Sequence, residues 1–121
     1  MTDETPLAQM TDRRNPFSAK KRLQVFSDRL ECWDGQTLER RITLDQITQV
    51  RLAVEMAGSQ TQVACRVAGP NGEIVFGSRR AEAGAFADNS AEFTPVLVAL
   101  HQRLEPRYGA VKFVEALKAR L

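Results

Sequence analysis

The sequence predicts a mainly β domain that is closed by one C-terminal α-helix. From residue 23 to residue 76 the apolar side chains fall at every second position, which is the spacing of half-buried strands. From residue 93 to residue 104 they fall three and four positions apart, which is the spacing of one helix face. Together the two periods predict a small sheet structure or partly open barrel that is capped by the helix.

Three strands are predicted before residue 45, and short polar turns separate them. The first strand begins near Arg22, and Ser27-Asp28 turns the chain into the second. Asp34-Gly35 then favours a hairpin, because glycine accepts the positive φ that such a turn needs. The predicted inward-facing residues are Leu23 and Val25, then Leu30 and Cys32, then Leu38, Ile42 and Leu44.

Three further strands follow a predicted helical turn at Asp45. They cover residues 50–56, 63–67 and 74–76, and Pro70-Asn71-Gly72 is the strongest turn signal between them. A seventh strand is expected either within residues 77–88 or at residues 111–114. The apolar residues of segment 77–91 follow neither the strand period nor the helix period. This segment is therefore expected to be a long connection that is functional or locally folded.

The predicted capping helix covers residues 93–105. Thr94 as the N-cap would place Pro95 at the first helical position, where its missing N–H costs nothing. An earlier start at Asn89 or Ser90 is the alternative. Residues 110–121 are expected to form a short second helix, or a final strand.

Residues 1–21 are expected to be a mobile basic arm, since Pro6, Pro16 and polar residues interrupt any period. The whole chain has a net charge of +2, and residues 23–121 sum to zero. All of the excess charge therefore lies in the first 22 residues, whose basic side chains are Arg13, Arg14, Lys20, Lys21 and Arg22. A neutral body argues against a nucleic-acid-binding protein.

Composition excludes several kinds of chemistry. The two cysteines, Cys32 and Cys65, alternate with polar neighbours and are interpreted as buried apolar side chains. One histidine, His101, and no paired cysteines argue against a zinc site or any other cofactor. The glutamates at 31, 39, 55 and 73 lie on polar strand faces and are interpreted as solvated. We therefore expect a protein that is not an enzyme.

The order of these elements resembles the bacterial pleckstrin-homology-like (PH-like) domains. In that family a third strand runs through a short Asp-x-Ile turn into an x-Val-x-Leu strand, and here Asp45, Ile47, Val50 and Leu52 match that pattern. The segment from Phe86 to His101 is similar to small uncharacterised members of the group. The resemblance covers roughly residues 22–105 and implies two near-orthogonal antiparallel sheets of about seven strands in all, capped by the helix.

The resemblance implies a binding scaffold, and it does not choose the ligand. We expect a cytoplasmic module of bacterial type that binds a protein or peptide. Its predicted partner contacts are Trp33 on an outward strand face and Arg79, Arg80 and Phe86 in the 77–91 segment. Self-association stays open. The alternative is weak, salt-sensitive contact of the five basic arm residues around Phe17 with anionic lipid or another polyanion.

Overall fold

Ten strands and one α-helix make up residues 4–116, the part of the chain that the computed structural model describes. The strands before the helix are β1 (Ala8–Asp12), β2 (Lys21–Val25), β3 (Arg29–Asp34), β4 (Thr37–Thr43), β5 (Gln49–Ala57), β6 (Gln60–Gly69), β7 (Gly72–Gly77), β8 (Arg79–Glu82) and β9 (Ala85–Asp88). Helix α1 (Ser90–Leu104) follows, and β10 (Lys112–Ala116) comes last. Two 3₁₀ turns, Leu44–Gln46 and Glu105–Ala110, complete the described chain.

The strands form two four-stranded sheets and a separate hairpin. Sheet A has the order β1-β2-β3-β4, sheet B has the order β10-β5-β6-β7, and β8 pairs with β9. All neighbours are antiparallel except β10, which runs parallel to β5. The predicted fold class, mainly β with one C-terminal helix, is confirmed, and the two sheets do not close into a barrel.

The six predicted strands are all present, as β2 to β7, and so is the helical turn at Asp45. Their apolar faces meet in one core, to which α1 adds Phe93, Val96, Leu100 and Leu104. The rings of Phe76 and Phe93 lie 5.6 Å apart and join sheet B to the helix. Because α1 packs mainly on β1 and β2, it also closes the core beside sheet A.

The prediction of a mobile arm is wrong for residues 8–12, which form β1 and pair with β2 from Ala8 opposite Val25 to Asp12 opposite Lys21. Met10 is buried in the core. The alternating pattern of β1 could not be recognised in the sequence, because the last inward-facing position of this strand holds a charged residue, Asp12. A buried carboxylate needs a cation or a hydrogen-bond donor as its partner, and the spacing of apolar residues does not reveal which residue that is.

The 77–91 segment is locally folded: four-residue strands β8 and β9 form a hairpin in which Gly84 adopts φ +77°. The helix begins at Ser90, so the interpretation of Thr94 as N-cap is wrong. The carboxylate of Asp88 accepts a hydrogen bond from Ser90 N (2.9 Å), and the backbone oxygen of Asn89 accepts from Phe93 N (2.9 Å). Pro95 lies inside the helix, on its exposed side. Proline has no N–H to donate to the carbonyl four residues earlier, and on this side of the helix water can reach that carbonyl.

The predicted second helix in residues 110–121 is wrong for residues 112–116, which form the alternative strand. Lys112 lies opposite Gln49 and Ala116 opposite Ala53 in the parallel register. The remaining residues of that prediction, 117–121, lie outside the described part of the chain. With β1, β8, β9 and β10 added, the structure has more strands than the seven expected.

Candidate functional site

Three turns meet at one end of the molecule and enclose an open cleft of about 460 Å³, which we call the tip cleft. The turns belong to the N-terminal segment, the β5–β6 hairpin and the β8–β9 hairpin. The lining residues are Pro16, Ala57, Gly58, Ser59, Gln60, Gly84, Ala85 and Phe86. Phe86, a predicted partner contact, therefore lies in a cleft, together with a proline from the segment expected to be an arm.

Residues 13–18 form a hydrogen-bonded turn beside this cleft, which we call the Phe17 turn. The side-chain oxygen of Asn15 accepts from Phe17 N (2.9 Å), and Asn15 O accepts from Ser18 N (3.2 Å). The Arg13 guanidinium donates to Ser18 O (2.9 Å) and to Pro16 O (2.6 Å). The turn leaves the Phe17 side chain 97% exposed. An aromatic ring is thus presented to solvent by a backbone that is already fixed.

The other side of the tip cleft is held by the β8–β9 hairpin. The Phe86 ring packs against Gly58, where φ is +62° and a Cβ would come within 3.2 Å of the ring. Arg79 Nε donates to Thr61 O (2.9 Å), and Arg79 Nη1 donates to Phe86 O (3.2 Å). Arg79, predicted to contact a partner, therefore ties the hairpin to β6.

The ion pair between Arg14 and the buried Asp12 holds the N-terminal segment against the neighbouring strands. Asp12 is 1% exposed, and its Oδ1 accepts from Arg14 Nη2 (2.7 Å). Arg14 also donates to Gln62 Oε1 (3.1 Å) and to the backbone oxygen of Arg79. Burial raises the pKa of the Asp12 carboxyl, and the Arg14 charge only partly offsets that effect. One guanidinium thus joins β1, β6 and β8.

The basic residues expected to bind anions do not form one free patch. Arg13 and Arg14 have the internal partners described above. Lys21 bridges Asp34 (3.4 Å) and Glu39. The Arg22 guanidinium lies over the Trp33 ring, 5.4 Å from its centre. Lys20 is the one of the five that is exposed.

Trp33 lies half-buried on the outer face of sheet A and is engaged by its own sheet. Its indole N–H donates to Glu31 Oε1 (2.9 Å), and Glu31 Oε2 accepts from Arg29 Nε (2.7 Å) and Arg41 Nε (2.9 Å). The interpretation of Glu31 as solvated is wrong, because this residue is 2% exposed. Burial pushes the pKa of Glu31 upward, but the three hydrogen bonds outweigh it, and the pKa is lowered.

Arg80, the last predicted partner contact, points toward helix α1. Its guanidinium lies 3.8 Å from Glu92 and 3.5 Å from Glu82. The other carboxylate oxygen of Glu92 accepts from Thr11 N (2.8 Å), so this charge pair links β8, α1 and β1. Among the nine predicted contact residues, the structure brings four together at the Phe17 turn and the tip cleft, namely Arg13, Arg14, Arg79 and Phe86. Trp33 lies on a different face.

A second open region lies between the outer side of α1 and the edge of sheet B. We call it the helix cleft; it consists of two adjoining clefts of about 350 and 310 Å³ that share Leu52 and His101. The further lining residues are Val50, Leu97, Val98, Gln102, Glu105, Tyr108, Phe113 and Val114. Val98, Tyr108 and Phe113 each expose 40–47% of their surface. This apolar region was not predicted, because it brings together β5, α1, the 3₁₀ turn after α1 and β10, which are far apart in the sequence.

Three further observations concern the metal-ligating, titratable and nucleophilic side chains of the described residues. No group of three or more metal-ligating side chains occurs in residues 4–116. His101 Nδ1 lies 3.0 Å from Leu97 O, and its ring lies 5.6 Å from that of Phe113. Burial raises the pKa of the Cys32 thiol to about 11 and that of Cys65 to about 12, so neither is a ready nucleophile at neutral pH.

Comparison with known proteins gives no family for the chain. No protein-family model matches it, and no curated protein matches it either. No helix in the described part of the chain is long and apolar enough to cross a membrane. The tip cleft, the Phe17 turn and the helix cleft are therefore the features from which a function can be inferred.

Proposed function

We propose that this protein is a non-catalytic binding module of PH-like type, and that it recognises a protein partner through the Phe17 turn and the adjoining tip cleft. The observation that carries the proposal is the exposure of the Phe17 ring on a turn with fixed backbone. A bacterial and cytoplasmic setting, expected from the sequence, is part of the same proposal.

Preorganisation is the physical reason that this turn suits a binding role. Exposed aromatic side chains are the anchors that most often dominate protein interfaces, because they bury a large area at low cost in conformational entropy. At the Phe17 turn, the bonds from Arg13 and Asn15 fix the backbone before any partner arrives. The ordering cost of binding is therefore reduced, which raises affinity without new contacts.

The tip cleft adds a second contact beside this anchor. A partner that covers Phe17 also reaches Pro16 and, through it, the cleft wall that contains Phe86. The cleft is open and shallow, and most of its lining is small or polar. It suits a loop or an extended segment of another protein better than a small molecule, which needs an enclosing pocket.

The polyanion alternative has less support. Lys21 has two carboxylate partners, Arg14 has a buried one, and Arg22 stacks on Trp33. Each basic residue near an anionic surface contributes about 1 kcal/mol, and a single exposed lysine with one aromatic ring falls well short of stable attachment. Co-sedimentation with anionic vesicles at low salt that is lost in the Phe17→Ala and Lys20→Ala variants would favour it instead.

Site-directed photo-cross-linking tests the proposal. Phe17 is replaced by p-benzoylphenylalanine in the full chain, and a matched protein carries the same group in place of Leu7, another exposed apolar residue. Irradiation in cells that express the protein should give a cross-link to a protein from position 17 and not from position 7. Equal cross-linking at the two positions, or none from position 17, would contradict the proposal.

A further inference from the structure

We infer that the partner of the Phe17 turn is a second copy of this chain, whose helix cleft receives the Phe17 ring. This inference rests on the proposed function and names its partner. It starts from the fact that one molecule carries both an exposed aromatic ring and an apolar cleft that no other described residue fills.

The helix cleft has the size and the chemistry to accept an aromatic ring. Its two parts measure about 350 and 310 Å³, whereas an apolar cavity of about 150 Å³ already holds benzene in other proteins. Its walls offer an exposed valine, Val98, and two aromatic rings, Tyr108 and Phe113, whose centres lie 5.0 Å apart in an edge-on arrangement. A third ring inserted here would gain further aromatic contacts of this kind.

Charge is complementary across the proposed contact. Lys20, exposed and three residues after Phe17, is the free cation of the N-terminal segment. Glu105, also exposed, lies on the rim of the helix cleft. Rim charges of opposite sign favour the encounter and the orientation of partners more than they add affinity.

The helix cleft and the tip cleft, beside which the Phe17 turn lies, are at opposite ends of the same long strand. Val50, the second residue of β5, lines the helix cleft, and Ala57, its last residue, lines the tip cleft. Seven steps of about 3.3 Å separate these residues by roughly 23 Å. At that separation Phe17 does not reach the cleft of its own copy. Contact with another copy is either reciprocal, which closes a dimer, or head-to-tail, which repeats into a ring or an open chain.

Sedimentation of matched variants tests the inference. The wild-type chain should form dimers or larger species as its concentration rises. Phe17→Ala removes the ring, and Val98→Lys places a charge in the cleft at an exposed helix position; each variant alone should remain monomeric. Leu7→Ala and Ala91→Lys, which change exposed residues away from both surfaces, should assemble like the wild type.

Mixing the two blocked variants gives the sharpest result. Phe17→Ala retains the cleft and Val98→Lys retains the ring, so an equimolar mixture should form a one-to-one dimer and nothing larger. A wild-type chain that is monomeric throughout, or an equimolar mixture that stays monomeric, would each overturn the inference. The cross-link from position 17 would then identify a different protein, and its absence would remove the proposed function as well.

Discussion

The buried carboxylate of Asp12 and the guanidinium of Arg14 lie 2.7 Å apart, directly below the turn that presents Phe17. The same guanidinium bonds Gln62 and the backbone of Arg79, so it fixes the N-terminal segment to the strands that form the tip cleft. The position of the exposed ring therefore depends on a charge pair whose carboxylate is almost hidden from solvent.

Arg14→Ala should destabilise the fold by about 3 kcal/mol, because it leaves the Asp12 carboxylate buried without a counter-charge. This is the lower end for a broken buried pair, since a quarter of the Arg14 side chain is exposed. Urea denaturation at pH 7 measures the loss. Adding Asp12→Asn to Arg14→Ala should recover stability, because a neutral amide needs no cation. A double variant less stable than the single one would contradict this account.

The loss caused by Arg14→Ala should also grow as the pH rises. Burial raises the folded-state pKa of Asp12, so the folded protein holds this proton more tightly than the unfolded chain, and ionisation costs stability as the pH rises above 3.8. Without Arg14 that cost is larger. The difference in unfolding free energy between wild type and variant should therefore be smaller near pH 4 than at pH 7, and a constant difference would argue against the charge pair.

Glu31 should show the opposite dependence on pH. Its pKa is lowered in the folded state, so its contribution to stability is fully present above the unfolded value of 4.5 and is lost as the pH falls through the folded value. Glu31→Gln should cost about 1–2 kcal/mol at pH 7, since it weakens hydrogen bonds to charged partners, one of them half-exposed. Below the folded pKa the two proteins should differ much less.

Trp33 supplies a direct readout of the same group. It is the single tryptophan of the chain, and its indole N–H is bonded to Glu31. In the folded wild type its fluorescence should change as Glu31 takes up a proton, while Glu31→Gln should show no such step. The same step in both proteins would mean that another group is responsible.

Elements with a local apolar period could be predicted from the sequence, whereas contacts between residues far apart in the chain could not. Strands β2 to β7 were predictable because each alternates several apolar residues, as Leu23 and Val25 do. Strand β1 was not, because Asp12 occupies an inward position and its partner Arg14 lies beyond the strand. Charge pairs, and long-range contacts such as that of β10 with β5, depend on which residues the fold brings together. The local spacing of apolar residues therefore does not predict them.

The candidate site divides in the same way. Phe86 was predicted as a contact and lies in the tip cleft, whereas the turn at Asn15 and Pro16 was not predicted, because residues 1–21 were expected to be a mobile arm. The helix cleft could not be derived, since Tyr108 and Phe113 reach it only through the 3₁₀ turn and the parallel strand that follows α1. A single exposed aromatic residue can be assigned to a binding surface only when the fold shows which residues surround it.

Phe17→Ala should leave the free energy of unfolding within about 0.5 kcal/mol of the wild type, because a ring that is 97% exposed contributes no buried area.

Asn15→Ala should instead loosen the turn by removing the acceptor of Phe17 N. Amide hydrogen exchange at Phe17 should accelerate in Asn15→Ala and stay unchanged in Ser59→Ala, which alters the facing turn of the tip cleft. Unchanged exchange in Asn15→Ala would mean that the turn is not held as described.

The two cysteines should react very slowly with a thiol reagent, and at different rates. Only the thiolate reacts, so a pKa of about 11 at Cys32 should slow labelling at pH 8 by roughly a hundredfold relative to an unperturbed thiol. Cys65 is fully buried with a pKa of about 12 and should react only when the protein unfolds. Labelling followed in Cys32→Ala and Cys65→Ala separates the two sites. Labelling of Cys65 faster than global unfolding, or of Cys32 at the rate of a free thiol, would show that the strands around them open more readily than the packed core implies.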